Sequence, residues 1–331
     1  MRTFGIAATT LAGLAAGGCR DRTAPTAPAA SSARPVSTPT LALPSGWTCK
    51  QPPFAESAPV PEASGAAWID HAGRRALFVI SDSGNAGAYN IVAADTGETL
   101  ARGQLAIGPH GDDFEGATRD GDDLVLALSA GYTVRVRPKH DAWAAEDAVP
   151  IGDVIAADDE PKGHGTRPPR GEAMVCDDSR TGNCGRNIEG ICLAPTPVPP
   201  PASIAAADAC VGFVAAKADG HLYCLTRRDG GFHAEFARSI EVASPGMLAD
   251  CAFADDGSLW TGNNLPGMSV VSRVANWQVP SAAVVEPIGP LGVGNAEVLA
   301  VTRAGEAYDI IRMSDTNTAP SAMVKFRCTP P

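Results

Sequence analysis

Asp113-Phe114-Glu115-Gly116 is followed at once by a run that reads as two β-strands. The same opening returns as Asn187-Ile188-Glu189-Gly190 and Asn295-Ala296-Glu297-Val298, with Leu248-Ala249-Asp250-Cys251 in the same register and Glu62-Ala63-Ser64-Gly65 as a looser copy. The aligned column is Ser64, Glu115, Glu189, Asp250 and Glu297, at spacings of 51, 74, 61 and 47 residues. Around these openings the chain carries short apolar runs split by Gly and Asp turns, with no long pattern of helical period. Ala76–Ser81 and Leu124–Leu128 are such runs, and Asp219-Gly220 joins Val211–Ala215 to Leu222–Leu225 as a hairpin. Irregular four-strand units at this period predict an all-β chain folded as a β-propeller, in which each blade buries its faces against its neighbours. A β-sandwich is the competing architecture, but it gives no reason for a motif recurring at the start of each unit.

Five units are visible, and the region 151–186 is a candidate sixth, so five or six blades are expected. The longest spacings are swollen by loops, notably Asp158–Arg186 and the proline run Pro195–Pro201. The last unit offers three strands, at 296–302, 306–312 and 321–327. A strand near Trp47–Phe54 is expected to complete it and close the ring, with a Cys49–Cys328 disulfide locking the closure.

The beginning of the chain has a different character. Met1-Arg2 is cationic, Phe4–Ala16 is weakly apolar and too short to span a hydrocarbon core of ~30 Å, and Leu14-Ala15-Ala16-Gly17-Gly18-Cys19 ends it in small residues. A charged start, a short apolar stretch and a small-residue cleavage site read as a secretory signal over 1–18. The cysteine directly after the small residues resembles the lipobox of bacterial lipoproteins, although the Leu usual three residues before it is Ala16 here. That resemblance implies lipidation of Cys19, export, and a membrane anchor. Arg20, in place of an Asp, points to the outer membrane facing the periplasm. Residues 19–45 follow as a tether: Ala, Pro, Ser and Thr supply 19 of the 26 positions 20–45, a composition that cannot bury enough apolar surface to order itself. The globular domain is expected over 46–331.

The cysteines fit this division. Nine are present, and setting Cys19 aside leaves eight, an even set that reads as disulfide-bonded in an exported chain. Besides Cys49–Cys328, Cys176 and Cys184 are a candidate pair, flanking the turn-like stretch Asp177–Asn183. No C-x-x-C pair exists to suggest zinc. Charge divides the chain at the same place. Residues 1–45 hold four arginines against one aspartate, net +3, which leaves −14 on the remainder of a chain whose total is −11. A domain this acidic disfavours nucleic acid and anionic lipid as partners and tolerates cations. A monomer is expected.

The repeated x-Glu-Gly opening preceded by Asp or Asn resembles secreted propellers of the esterase-like phytase family, over most of residues 60–328. In that family D-x-E-G opens the innermost strand of a blade and its carboxylate faces the central channel. The resemblance therefore implies that Glu115, Glu189, Asp250 and Glu297 converge near the axis; Val298 for Gly in the last copy and Ser64 for Glu in the first depart from the pattern. Two carboxylates ~6 Å apart repel by roughly 3 kcal/mol at an effective dielectric of 20. Four of them need a cation, a basic partner or bulk water, and an oxygen-rich site of this kind suits calcium or magnesium. His110, Asp112 and Asp113, together with Asp82 and Asn85, are candidate binding residues at the channel mouth.

Familiar catalytic motifs are missing: no G-x-S-x-G, H-E-x-x-H, P-loop or full EF-hand loop occurs. Gly163-His164-Gly165-Thr166-Arg167-Pro168-Pro169 resembles the R-H-G-x-R-x-P box of histidine phosphatases. Its first Arg is Gly163, however, and it lies in a Gly/Pro loop. No nucleophile–base set can be assembled. The leading expectation is thus a membrane-tethered module that binds a small molecule or protein, and the alternative is a metal-dependent hydrolase of phosphoesters or lactones.

Overall fold

In the computed structural model the described residues are 40–43, 45–106, 108, 111–139, 142–151, 187–195, 209–242, 246–265, 267–316 and 319–331. They form a five-bladed β-propeller in which every strand pairing is antiparallel and the only helical element is a 3-10 turn, Pro280–Ala282. Blade 1 runs outward through Ala63–His71, Arg74–Ser81, Ala88–Ala93 and Thr99–Gln104. Blade 2 comprises Phe114–Asp120, Asp123–Leu128, Tyr132–Lys139 and Ala142–Ala145, with Val149–Pro150 on the third strand. Blade 3 is Ile188–Leu193, Gly212–Ala216, His221–Arg228 and Gly231–Glu241. Blade 4 is Met247–Phe253, Leu259–Leu265, Met268–Ala275 and Val284–Pro290. Blade 5 takes Ala296–Ala304, Ala307–Ser314 and Ser321–Thr329 from the end of the chain.

Its outer part comes from the beginning. Thr48–Lys50 pairs with the last strand, Cys49 opposite Cys328, and Thr40–Ala42 adds a further strand outside it. The disulfide between Cys49 and Cys328 spans 279 residues of chain and ties that seam. Residues 40–42, read as part of the tether, carry the outermost strand of this blade. Residues 152–186, where a sixth unit was considered, lie outside the described residues, as do Cys19, Cys176, Cys184 and the Gly163–Pro169 loop. The ring closes without a sixth blade, because the inner strands of blades 2 and 3 touch directly. The amide of Leu193 donates to the Thr118 hydroxyl at 3.0 Å.

The second strand of each blade explains the apolar runs of the sequence. In Ala76–Ile80 all five residues are buried, and alternate side chains serve opposite neighbours. Phe78 and Ile80 pack with Leu126 and Val136 of blade 2, while Leu77 and Val79 pack with Ile311 and Met313 of blade 5. Each of the five blade-to-blade seams has its own apolar cluster of this kind. A strand buried on both faces has no polar side to present, so continuous runs replace the alternation of a half-exposed sheet. At roughly 1.5–3 kcal/mol for each large apolar side chain, these seams dominate the stability of the ring. Trp47, from the N-terminal segment, enters the seam between blades 4 and 5 against Trp260 and Tyr308, 5.7 and 6.0 Å between ring centres.

Candidate functional site: the acid ring at the axis

The motif residues lie where each inner strand begins. In four blades the pairing of first and second strands skips one residue, and the skipped residue is Ser64, Glu115, Glu189 or Glu297. Such a bulge turns one side chain away from the ladder, and here it turns three carboxylates together. Glu115, Glu189 and Glu297 are all buried and can each place an oxygen within 4.8 Å of the others.

Asp250 does not join them. The skip in blade 4 falls between Leu248 and Asp250, so Ala249 is the equivalent of the glutamates and Asp250 stands in the place of Gly65, Gly116, Gly190 and Val298. Its carboxylate accepts the amides of Leu299 at 2.8 Å and Cys251 at 2.7 Å, bridging to the next inner strand. The physical reason for the misaligned column is that Ala249 and Asp250 are indistinguishable in register until the bulge is located.

The glycine of the motif also has a structural meaning. A Cβ on Gly116 would lie 2.6 Å from the amide nitrogen of Ile191, and one on Gly65 would lie 2.6 Å from that of Ala117. Neighbouring inner strands are in backbone contact there, forming a waist directly beneath the acid ring.

A second set of residues reaches the same mouth from the ends of the second strands. The amides of Asp82, Ser129, Lys217 and Asp315 donate to the carbonyls of Glu62, Asp113, Asn187 and Asn295, the residues just ahead of the motifs. Lys217 is the residue that sequence reading missed. Its ammonium donates to Glu189 at 2.7 Å and Glu297 at 3.4 Å. Burial alone would lower its pKa, but the carboxylates of Glu189 and Glu297 hold it above the ordinary lysine value. Its only signal in the sequence was a lysine placed directly after a buried strand, where blades 1 and 5 carry aspartates.

On the opposite side, Asp82, Asp113 and Glu115 form a second cluster with oxygens within 4.8 Å. Glu115 accepts a hydrogen bond from Ser64 at 2.7 Å. Burial, with like charges from Asp113, Glu297 and Asp315 behind it, pushes the Asp82 carboxyl up to about 7 against the pull of the Ser83 amide. Burial also lifts Glu115 well above the usual range, aided by Glu189, and lifts Glu189 to about 8 despite Lys217. Asp315 rises to about 6, through burial and then Glu297. Among the described residues one ammonium, that of Lys217, faces these carboxylates, and burial with mutual repulsion favours their protonated forms.

Asn85, from the predicted set, donates to Glu62 at 2.6 Å and buttresses the mouth. Asp112 is buried beside Asp113, and His110 lies outside the described residues. Arg312, fully buried in the seam between blades 4 and 5, donates to Ser269 and to the Ala296 carbonyl. Burial lowers its pKa to about 10, with Asp250 and Glu297 opposing. The basic groups thus cluster on the side of blades 3 to 5.

The described residues contain three disulfides, including Cys192–Cys251 between the inner strands of blades 3 and 4 and Cys210–Cys224 within blade 3.

No family model matches the chain, and no curated protein matches it. Solved structures that resemble it are β-propeller proteins at low identity. They include a glutaminyl cyclase from Myxococcus xanthus (11% identity, 85% of this chain and 97% of that one, TM-score 0.47). A gluconolactonase from Xanthomonas campestris is similar at 12% identity, covering 86% and 91% with a TM-score of 0.39. The calcium-binding protein regucalcin from Agrobacterium tumefaciens is similar at 10% identity, covering 84% and 96% with a TM-score of 0.40.

Proposed function

We propose that this chain is an exported lipoprotein, anchored through Cys19, whose propeller is a cation-dependent binding module with its site at the acid ring. The observation that carries the reading is the asymmetry of that ring. Lys217 neutralises Glu189 and Glu297, whereas Asp82, Asp113 and Glu115 gather three oxygens within 4.8 Å on the other side. Oxygens bound to calcium at about 2.4 Å stand at most roughly 4.8 Å apart, and a magnesium shell is tighter. An oxygen set within that bound admits a calcium ion. The Glu115–Glu189–Glu297 set meets the same bound, but the Lys217 ammonium already engages Glu189 and Glu297.

A calcium ion held by Asp82, Asp113 and Glu115 would offer its outer face to a carboxylate, phosphate or hydroxyl oxygen of a ligand. The chain's own residues do the rest. Ser64 fixes the Glu115 carboxylate, Asn85 fixes Glu62, and Lys217 keeps Glu189 and Glu297 from competing for the ion. The signal and lipobox support the placement of this module on a membrane facing the periplasm.

A hydrolase of phosphoesters or lactones is the second reading. It is favoured by Asp82, a buried carboxyl poised at about 7, where a general base works best near neutral pH. The D-x-E-G resemblance to esterase-like phytases supports the same reading.

Calorimetric titration of the chelator-treated protein with calcium chloride is the test, alongside Asp82→Asn and Asp113→Asn. Saturable one-to-one binding that either substitution abolishes is the expected result. Absence of binding in the unsubstituted protein sinks the proposal. For the anchor, Cys19→Ser should release the protein from membranes and remove the acyl mass; a variant that stays membrane-bound refutes it.

A further inference from the structure

Beneath the waist the channel widens again. A cavity of about 770 Å³ opens at the end opposite the acid ring, bounded by the lower halves of the inner strands. It begins at the residues that follow the motif glycines, Ala66, Ala117 and Ile191, and reaches down past Leu193, Phe253 and Val301. Its upper wall is apolar. The Thr118 hydroxyl is engaged by the Leu193 amide, and the Trp68 indole donates to the Val301 carbonyl at 2.9 Å.

The rim is charged but balanced. Arg75 pairs with Asp255 at 3.3 Å, Arg119 with Asp70 and Asp122 at 3.6 Å, and Arg227 with both oxygens of Asp120. Among the described residues each rim arginine thus has a carboxylate partner, and the three arginines of the lining are matched by three aspartates, Asp120, Asp122 and Asp255. This contrasts with the acid ring a few residues above.

We propose that this cup is a second binding site, for an uncharged and largely apolar small molecule. The volume lies within the range of about 300–1,000 Å³ typical of sites for drug-sized ligands, and apolar walls above a self-neutralised rim favour a ligand without formal charge. A charged ligand would have to displace an existing ion pair or bury its charge unpaired, which is costly. The waist separates this site from the calcium site, so occupancy of the cup does not rest on the proposed cation chemistry.

The test is a fluorescence titration of the full chain with the neutral probe N-phenyl-1-naphthylamine, beside the anionic probe ANS. Saturable one-to-one binding of the neutral probe is expected, insensitive to salt and to chelator. Ala252→Leu, at a residue of the cup's lining that also packs in the seam between blades 4 and 5, should weaken binding by roughly tenfold or more. Phe253→Ala enlarges the cup and serves as the second variant; it should change the affinity or the emission maximum of the bound probe. Asp113→Asn, in the acid ring, should leave probe binding unchanged. Non-saturable fluorescence, binding indifferent to both cup variants, or preference for the anionic probe would each overturn the proposal.

Discussion

Replacing Gly116 by alanine tests the link between the repeated motif and the closed ring. The new methyl carbon would lie 2.6 Å from the Ile191 nitrogen, 2.7 Å from Gly190 Cα and 2.9 Å from the Gly190 carbonyl carbon. Ordinary contacts are about 3.5–4.0 Å, so the inner strands of blades 2 and 3 must part by about 1 Å. The obstruction is backbone, held by its own ladder and by the Thr118–Leu193 bond, and cannot rotate aside. Overpacking of this kind costs about 1–3 kcal/mol, and the rigid neighbour argues for the upper half. The loss of unfolded-chain entropy on going from glycine to alanine returns about 0.4–1 kcal/mol. A net destabilisation of about 2 kcal/mol follows. At about 2.1 cal/mol/K per residue, a domain of roughly 290 residues has an unfolding entropy of about 0.6 kcal/mol/K, so the melting temperature should fall by about 3–4 °C. Gly231→Ala is the control, since its new carbon would meet nothing nearer than 3.8 Å. Differential scanning calorimetry of the two variants decides the matter. A Gly116→Ala melting temperature equal to that of the control would mean that the motif glycine is not there to let the strands meet.

Lys217→Met should cost about 3 kcal/mol at pH 8 in chelator, the lower end for breaking a buried ion pair because the lysine is 21% exposed. The cost should shrink toward pH 5 as Glu189 takes up a proton, and a pH-independent loss would contradict the assignment of Lys217 as its counter-ion. Cys49→Ser should lower stability by about 2–5 kcal/mol, read by denaturant unfolding, because it unties the seam of a ring whose ends are 279 residues apart. Asp256, hydrogen-bonded by Ser258, Tyr308 and Arg303, is held down at about 2 although burial opposes it. A lowered carboxyl contributes stability above its unfolded pKa of about 3.9 that is lost as pH falls through about 2, so Tyr308→Phe should flatten that acid limb of the melting curve. In calcium at about 100 times its dissociation constant the folded protein should gain about 2.7 kcal/mol, and Asp82→Asn should erase the gain.

Much of the ring was legible because both faces of every second strand are buried, which writes runs such as Ala76–Ile80 into the sequence. The seam was legible too: a three-strand last unit and a cysteine at each end predicted the closure that Thr48–Lys50 makes with Ser321–Thr329. Details that depend on one residue of register were not. Asp250 looks like a fourth motif acid until the bulge is placed at Ala249. Contacts between blades were equally hidden. Nothing local marks Cys192 and Cys251 as partners, since their pairing requires blades 3 and 4 to be neighbours. Lys217 belongs to a row formed by strand ends rather than by the motif, and a lone lysine after an apolar run carries no signature of a buried ion pair.

The seam of blade 5 also fixes an order of events in the making of the protein. Thr48–Lys50 is synthesised before any of the five blades' inner strands, yet its partner, Arg327–Thr329, follows all of them. Until Arg327–Thr329 is made, that early strand has only Thr40–Ala42 beside it, and four blades stand as an open arc. A nascent chain that stops even a few residues short of Thr329 would leave the arc unsealed. Closure is therefore registered by the architecture: only a chain that includes Arg327–Thr329 can become a circle.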